Sequence, residues 1–164
     1  MVKPLWPMFV LVAGIGCSKA PTDTASSATV TVPASGFVEA RLRKSEGALP
    51  DLLALHAKKA KELGLVPYAE LGATWCKPCR ELEASMGDAR MKDAFKGTYI
   101  VHLDIDEWGG SLAKSGLASS AVPIVFALDP QSGKGTSRSI DGSAWDANTP
   151  ANMAPKLGAF FHGP

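Results

Sequence analysis

The chain has 164 residues, of which 46% are hydrophobic and 20% charged, a composition that predicts one globular domain with an ordinary core. Its 17 basic and 16 acidic side chains leave a net charge of +1 at pH 7 and are not segregated into a basic face. We therefore expect no nucleic-acid partner, because binding to a phosphate backbone needs clustered Lys and Arg. The 3 cysteines are too few for a scaffold held by several disulfides.

Residues 1–16 have the features of a secretory signal peptide. Lys3 supplies a positive charge, and the apolar run 5–15 is shorter than the roughly 20 residues that a membrane-spanning helix needs. The stretch 14–17, Gly-Ile-Gly-Cys, resembles a bacterial lipoprotein processing site, which implies that Cys17 becomes a lipidated N-terminus. A conventional cleavage after Ala20 and an uncleaved anchor are the alternatives. We expect export, with a lipid anchor holding the protein on a bacterial membrane that faces the periplasm or the exterior.

Residues 17–36 are rich in Ser, Thr, Ala and Pro and contain almost no large apolar side chain. Such a segment cannot bury enough surface to offset the entropy that it would lose on ordering. We therefore expect a flexible tether at 17–36, followed by the folded domain at 37–164.

The folded part of the sequence predicts alternating helices and strands. Leucines at helical spacing predict an amphipathic helix between Pro50 and Gly64. The further predicted elements are a strand at 65–72, a helix at 78–95, a strand at 98–105, a short helix at 111–115, a strand at 122–128, a weaker strand at 136–140 and a helix at 150–161. Turn-forming residues between the last two strands predict a hairpin. This order predicts an α/β fold with a parallel part and an antiparallel hairpin.

Residues 75–80, Trp-Cys-Lys-Pro-Cys-Arg, give the clearest chemical signal. Two thiols that are separated by two residues, and that open a helix after a strand-like stretch, are typical of a redox dithiol. An inert disulfide and half of a zinc site are the alternatives. Zinc usually needs four ligands, and the chain offers only His56, His102 and His162 besides this pair.

The sequence resembles the thioredoxin superfamily over about residues 49–161. The resemblance depends on the Trp-Cys-Lys-Pro-Cys run, on Val122-Pro123 at the start of the third predicted strand, and on Glu70, six positions before Cys76. It implies a thioredoxin-like fold, in which a central mixed sheet with an antiparallel hairpin is flanked by helices. It implies no metal and no organic cofactor.

The resemblance implies a role for each residue of the motif. Cys76, at a helix N-terminus, would attack a substrate disulfide as a thiolate, and Cys79 would resolve the mixed disulfide. Pro78 would lie in the first helical turn. Lys77 would either favour the thiolate through its charge or simply be solvated, and Trp75 would shield the cysteines and contact the substrate.

Four further residues complete the expected site. Pro123 matches the superfamily's cis proline, which faces the cysteines and leaves the backbone of Val122 to pair with a peptide; a simple strand-starting proline is the alternative. Glu70 matches the position of a buried acid that moves the proton of the second cysteine. His102 lies where the family has a partner lysine, and it either pairs with Glu70 or is an ordinary strand residue.

Two other groups of residues have structural interpretations. The acidic residues Asp104, Asp106 and Glu107 lack the spacing of a calcium loop, and we interpret them as a solvated strand end. The tryptophans Trp108 and Trp145 are interpreted as packing residues.

The sequence therefore predicts an exported, membrane-tethered thiol-disulfide oxidoreductase, with reduction of protein disulfides favoured over oxidation. We expect disulfide-containing protein substrates, an electron donor in the membrane, and a monomeric chain. A non-catalytic thioredoxin-fold chaperone or a copper-delivery module is the alternative, although the sequence offers no obvious third metal ligand near the cysteine pair.

Overall fold

The computed structural model describes Pro33 and residues 36–163. The predicted signal peptide at 1–16, the predicted lipidation of Cys17 and nearly all of the predicted tether at 17–36 lie outside these residues. No helix within the described part of the chain is long and apolar enough to cross a membrane.

Strands and helices alternate along residues 36–163. The strands are β1 (Val38–Arg41), β2 (Val66–Gly72), β3 (Thr98–Asp104), β4 (Ile124–Leu128) and β5 (Gly135–Asp141). The α-helices are α1 (Leu49–Glu62), α2 (Lys77–Ser85), α3 (Ala89–Phe95), α4 (Ile105–Trp108), α5 (Ser111–Lys114) and α6 (Pro150–His162). Short 3-10 turns occur at Lys44–Glu46 and Gly142–Ala144.

The strands form one mixed sheet in the order β1-β3-β2-β4-β5. β1 and β2 both run parallel to β3, whereas β4 runs antiparallel to β2, and β5 antiparallel to β4. α1 packs on one face of the sheet, and α2, α3 and α6 pack on the other. This is a thioredoxin-like α/β fold, and the predicted mixed sheet with its antiparallel hairpin and flanking helices is confirmed.

The local sequence explains where α1 begins and ends. Pro50 lies in its first turn, where the missing N–H leaves no helical hydrogen bond unmade. Its buried residues recur at helical spacing: Leu49, Leu53, Ala57 and Ala60. Gly64 adopts a φ of +70°, which a residue with a side chain rarely does, and the N–H of Leu65 closes the helix end on the carbonyl of Ala60 at 2.8 Å. The predicted helix is therefore confirmed within two residues at its C-terminal end.

β2 and β3 are covered on both faces, which explains why they are almost continuously apolar. Successive side chains of a strand point to opposite faces. Leu71 therefore joins the core under α1, while Tyr68 joins the core under α2, α3 and α6. Glu70 lies on the same face as Tyr68, so the chain places a carboxyl group under α2.

The structure corrects the helix predicted at 78–95, which is two helices. α2 ends at Ser85, and Asp88 then caps α3 by accepting a hydrogen bond from the backbone N–H of Arg90 at 2.9 Å. Asp is among the best N-cap residues, so it favours a new helix start over continuation. Because the helix is broken here, α3 packs against α6, and α2 is a short helix that covers the polar part of the sheet.

Two elements of the structure were not predicted, and the start of one strand differs from the prediction. β1, a four-residue edge strand, was not predicted, because its alternating side chains are too few to show a period. α4 was not predicted either; Asp104 caps it by accepting from the N–H groups of Asp106 and Glu107. The strand predicted to begin at Val122 begins at Ile124.

Trp108 and Trp145, which the sequence indicates as packing residues, lie in the core. Trp108 is 2% exposed and Trp145 is 5% exposed, which confirms both as packing residues. The indole N–H of Trp145 donates to the side chain of Asn148 at 2.8 Å. This contact ties the segment after β5 to the loop that precedes α6.

Candidate redox site

Cys76 and Cys79 form a disulfide at the N-terminus of α2, with their Cα atoms 5.3 Å apart. Cys76 is the N-cap residue, and its sulfur accepts a hydrogen bond from the backbone N–H of Cys79 at 3.1 Å. Pro78 lies in the first turn of the helix. The N–H groups and the positive end of the helix dipole thus favour negative charge on the Cys76 sulfur when the disulfide is reduced.

The pair is enclosed on its inner side and bordered by an exposed indole. Cys76 is 4% exposed and Cys79 is 7% exposed, and Val122 packs against the small cluster that they form with Ala73. Trp75 is 63% exposed. A large apolar ring therefore lies at the surface next to the disulfide.

Asp106 holds Trp75 in this position. The indole Nε1 of Trp75 donates to Oδ2 of Asp106 at 2.8 Å. Glu107, its neighbour, accepts from the backbone N–H of Lys44 at 2.6 Å. Asp104 ends β3, Asp106 is exposed and Glu107 is half-buried, so the interpretation as a solvated strand end is confirmed, and the structure adds specific hydrogen-bond partners for these residues.

Lys77 makes an ion pair one turn along α2. Its Nζ lies 3.5 Å from Oε1 of Glu81, and its side chain is 77% exposed. An exposed pair of this kind contributes only a few tenths of a kcal/mol, but it offsets part of the positive charge near Cys76. Lys77 is thus both solvated and paired.

Val122 and Pro123 border a groove on the other side of the disulfide. Their peptide bond is cis. Within residues 36–163, the backbone N–H and C=O of Val122 have no hydrogen-bond partner. The groove has a volume of about 450 Å³, and its lining includes Pro78, Asp141 and Asp146. An extended peptide would meet unpaired backbone groups here, immediately beside the cysteines.

Glu70 lies behind Cys79, in the region that α2 covers. Glu70 is 9% exposed. A Cβ built on Gly72 would lie 3.2 Å from Oε1 of Glu70 and 3.7 Å from Sγ of Cys79. Because Gly72 has no side chain, a small gap remains there, and the carboxylate and the sulfur both border it. Both residues also line a cavity of about 360 Å³ between α2 and the sheet. This geometry gives Cys79 a carboxylate neighbour.

His102 connects Glu70 to the edge of the sheet. Its Nδ1 lies 2.9 Å from Oε2 of Glu70, and its Nε2 lies 3.1 Å from Oε1 of Glu39. Glu70 and His102 are direct neighbours on β2 and β3, and Glu39 lies on β1 at the other side of β3. The pairing that the sequence left open is present, and Glu39 is a third member that the sequence did not predict.

The two carboxylates determine the charge of His102. Burial disfavours the imidazolium, but the hydrogen bonds and negative charges of Glu39 and Glu70 outweigh burial and raise the pKa of His102 from 6.5 to about 9. His102 is therefore a buried cation at neutral pH, with one carboxylate on each ring nitrogen.

This charge makes the stability of the oxidised protein depend on pH. The pKa of His102 is 6.5 when unfolded and about 9 when folded, so its stabilising contribution is complete below pH 6.5 and is lost as the pH rises through 9. The difference corresponds to roughly 3 kcal/mol. We expect the free energy of unfolding in urea to fall by this order between pH 6 and pH 10, and to fall much less in His102→Asn. Equal declines in the two proteins would contradict the assignment.

The other two histidines make structural contacts away from the disulfide. Nδ1 of His56 lies 2.8 Å from the hydroxyl of Tyr99, and Nε2 of His162 donates to the carbonyl of Ala94 at 3.0 Å. Among the described residues, no group of three or more His, Cys, Asp or Glu is placed to hold a metal ion.

The fold and the site define a thioredoxin-fold protein with a cysteine pair at a helix N-terminus. No protein-family model matches the chain, and no curated protein matches it. Among solved structures, the chain is similar to the disulphide isomerase from Xylella fastidiosa Temecula1, with a TM-score of 0.49 and 19% identity over 68% of this chain and 86% of that chain. It is also similar to a mutant thioredoxin from Halobacterium salinarum NRC-1, with a TM-score of 0.45 and 16% identity over 80% of this chain and 96% of that chain. These similarities concern the fold alone.

Proposed function

We propose that this protein is a thiol-disulfide oxidoreductase that reduces disulfides in other proteins through Cys76 and Cys79. The main supporting observation is the asymmetry of the pair. Cys76 caps α2, where a thiolate is favoured, while Cys79 faces the Glu70 carboxylate across the gap at Gly72. A nucleophile and a resolving thiol need these two different environments.

The reaction begins from the reduced dithiol. The Cys76 thiolate attacks one sulfur of the substrate disulfide, so a mixed disulfide forms and the other substrate sulfur leaves as a thiolate. Glu70 then takes the proton of Cys79, and the Cys79 thiolate attacks the Cys76 sulfur. The second substrate sulfur leaves and is protonated, and the protein is left with the Cys76–Cys79 disulfide. Two electrons have moved from the dithiol to the substrate.

The charges near the cysteines favour reduction over oxidation. A strong oxidant of this chemistry owes its high potential to stabilisation of its reduced form. Here Glu81 offsets part of the Lys77 charge, and Glu70 places a carboxylate behind Cys79, which disfavours a thiolate at that sulfur. Both effects destabilise the reduced form relative to the disulfide, which is the condition for a reductant.

The groove at Val122 and Pro123 is the proposed docking place of the substrate. A peptide strand that pairs with the free backbone of Val122 would bring its disulfide to the cysteine pair. The exposed indole of Trp75 borders the pair and offers an apolar contact. Trp75, Val122 and Pro123 are thus the proposed substrate-binding residues.

We place this activity outside the cytoplasm. The support is the sequence alone: the charged and apolar features of residues 1–16, the lipoprotein-like site at Cys17, and the composition of 17–36. A membrane protein that passes electrons outward is the proposed donor, since a reductant in an oxidising compartment must be re-reduced. The mass of the mature N-terminus tests the anchor; an unmodified chain that begins at Met1 would contradict it.

Reduction of insulin disulfides by dithiothreitol tests the proposed activity. We expect the wild-type protein to accelerate the reaction well above the rate with dithiothreitol alone. A rate equal to that background would overturn the proposed function.

A further inference from the structure

Glu39 is the outer member of a carboxylate–imidazole–carboxylate chain that crosses three strands. Its Oε1 lies 3.1 Å from Nε2 of His102, whose Nδ1 lies 2.9 Å from Glu70. The side chains of His102 and Glu70 are 10% and 12% exposed, whereas that of Glu39 is 42% exposed. The chain therefore extends from the gap behind Cys79 to the surface of the protein.

We propose that Glu39 is a positioning residue that acts through His102: it holds the imidazole ring in its orientation and in its charged form beside the Glu70 carboxylate. This inference rests on the proposed function, because Glu70 acts there as the base for Cys79.

Hydrogen bonding supports this role. An imidazole can donate from both ring nitrogens only as an imidazolium, and both nitrogens of His102 contact carboxylate oxygens. Without Glu39, a buried Nε2–H would lose its acceptor, which disfavours the charged ring. The imidazolium in turn donates to Glu70 at 2.9 Å, which holds the carboxylate in place at the gap shared with Cys79.

The surrounding charges do not replace Glu39. On β1, the nearest cation is Arg41, and it pairs with Glu83 of α2 instead. The charged or titratable groups that line the cavity around His102 are Arg41 and Arg43 from β1 and the following loop, Glu70 from β2, Cys79, Arg80 and Glu83 from α2, and Asp104 from the end of β3. Among the described residues, Glu39 and Glu70 are the carboxylates within hydrogen-bond distance of His102.

Glu39→Gln tests the inference, with Glu83→Gln as the matched control. Both variants remove one carboxylate near the cavity, but Glu83 contacts Arg41 and not His102. The first measurement is the NMR titration of the His102 ring in the oxidised protein. We expect Glu39→Gln to lower its midpoint by about one pH unit, a tenfold loss of proton affinity, and Glu83→Gln to move it only slightly. Glu39→Asp, which keeps the charge, should give an intermediate midpoint.

The second measurement is the rate at which Cys79 releases substrate from the mixed disulfide, followed from pH 6 to pH 10. Because loss of the His102 charge weakens its hydrogen bond to Glu70, the pH profile in Glu39→Gln should move to lower pH by the same interval as the NMR midpoint. Equal midpoints in Glu39→Gln and Glu83→Gln, or a rate profile that stays in place, would overturn the inference. Failure of the wild-type protein to reduce insulin would instead reject the proposed function, and the titration can still be measured in that case.

Discussion

Cys76→Ser is expected to lower the rate of insulin reduction to that of dithiothreitol alone. Only a thiolate attacks a disulfide at a useful rate, and a serine hydroxyl remains protonated near neutral pH. Cys76 is the sulfur that the α2 N-terminus stabilises, whereas Cys79 lies toward the Glu70 carboxylate, so we do not expect Cys79 to substitute for it. The substitution is nearly isosteric, so the fold should survive, which thermal unfolding can verify.

Cys79→Ser is the matched control, because it removes the other sulfur and leaves the nucleophile. We expect this variant to stop after one attack and to accumulate a covalent mixed disulfide with the substrate, visible on a non-reducing gel. Cys76→Ser should accumulate none. Trapping by Cys76→Ser in place of Cys79→Ser would mean that the two roles are exchanged.

The second large effect is expected for Glu70→Gln, which should slow turnover by roughly a hundredfold, in the range of a lost general base. Glutamine keeps the size of the side chain and an oxygen that can accept from His102, but it cannot take the proton of Cys79. Because the defect is the missing base, raising the pH toward that of free thiol ionisation should restore part of the rate.

Insulin reduction measured from pH 6 to pH 9 would show this dependence. Glu62→Gln is a suitable control, since Glu62 is an exposed carboxylate of α1 that pairs with Lys58 one turn away. Glu70→Gln rates equal to those of the wild-type protein over the whole pH range would remove Glu70 from the mechanism, whatever its effect on stability.

The sequence could predict the parts of the site that depend on local signals. The Cys76–Cys79 spacing with Pro78 indicates a helix start, and the structure places Cys76 at the N-cap of α2. The leucine period and Gly64 likewise indicate α1. These features need only a few neighbouring residues, so propensity and spacing are sufficient to find them.

The polar chain behind Cys79 depends on distant contacts. Glu70 and His102 become partners only through the parallel register of β2 with β3, and Glu39 joins them only because the short β1 pairs with β3 on its other side. Nothing within four residues of Glu39 signals a strand or a histidine partner. The hydrogen bond from Trp75 to Asp106 likewise joins segments separated by 31 positions and has no local signal.

The reduction potential of the Cys76–Cys79 pair tests the central claim most directly, because it measures which way electrons flow. Equilibration with mixtures of reduced and oxidised glutathione, read by alkylation of free thiols, gives this value. Glu81 offsets part of the Lys77 charge, and Glu70 places a carboxylate behind Cys79. From these two effects we predict a potential near that of thioredoxin, about −270 mV. A potential near about −120 mV, typical of a strong disulfide oxidant, would contradict the proposal of a reductase.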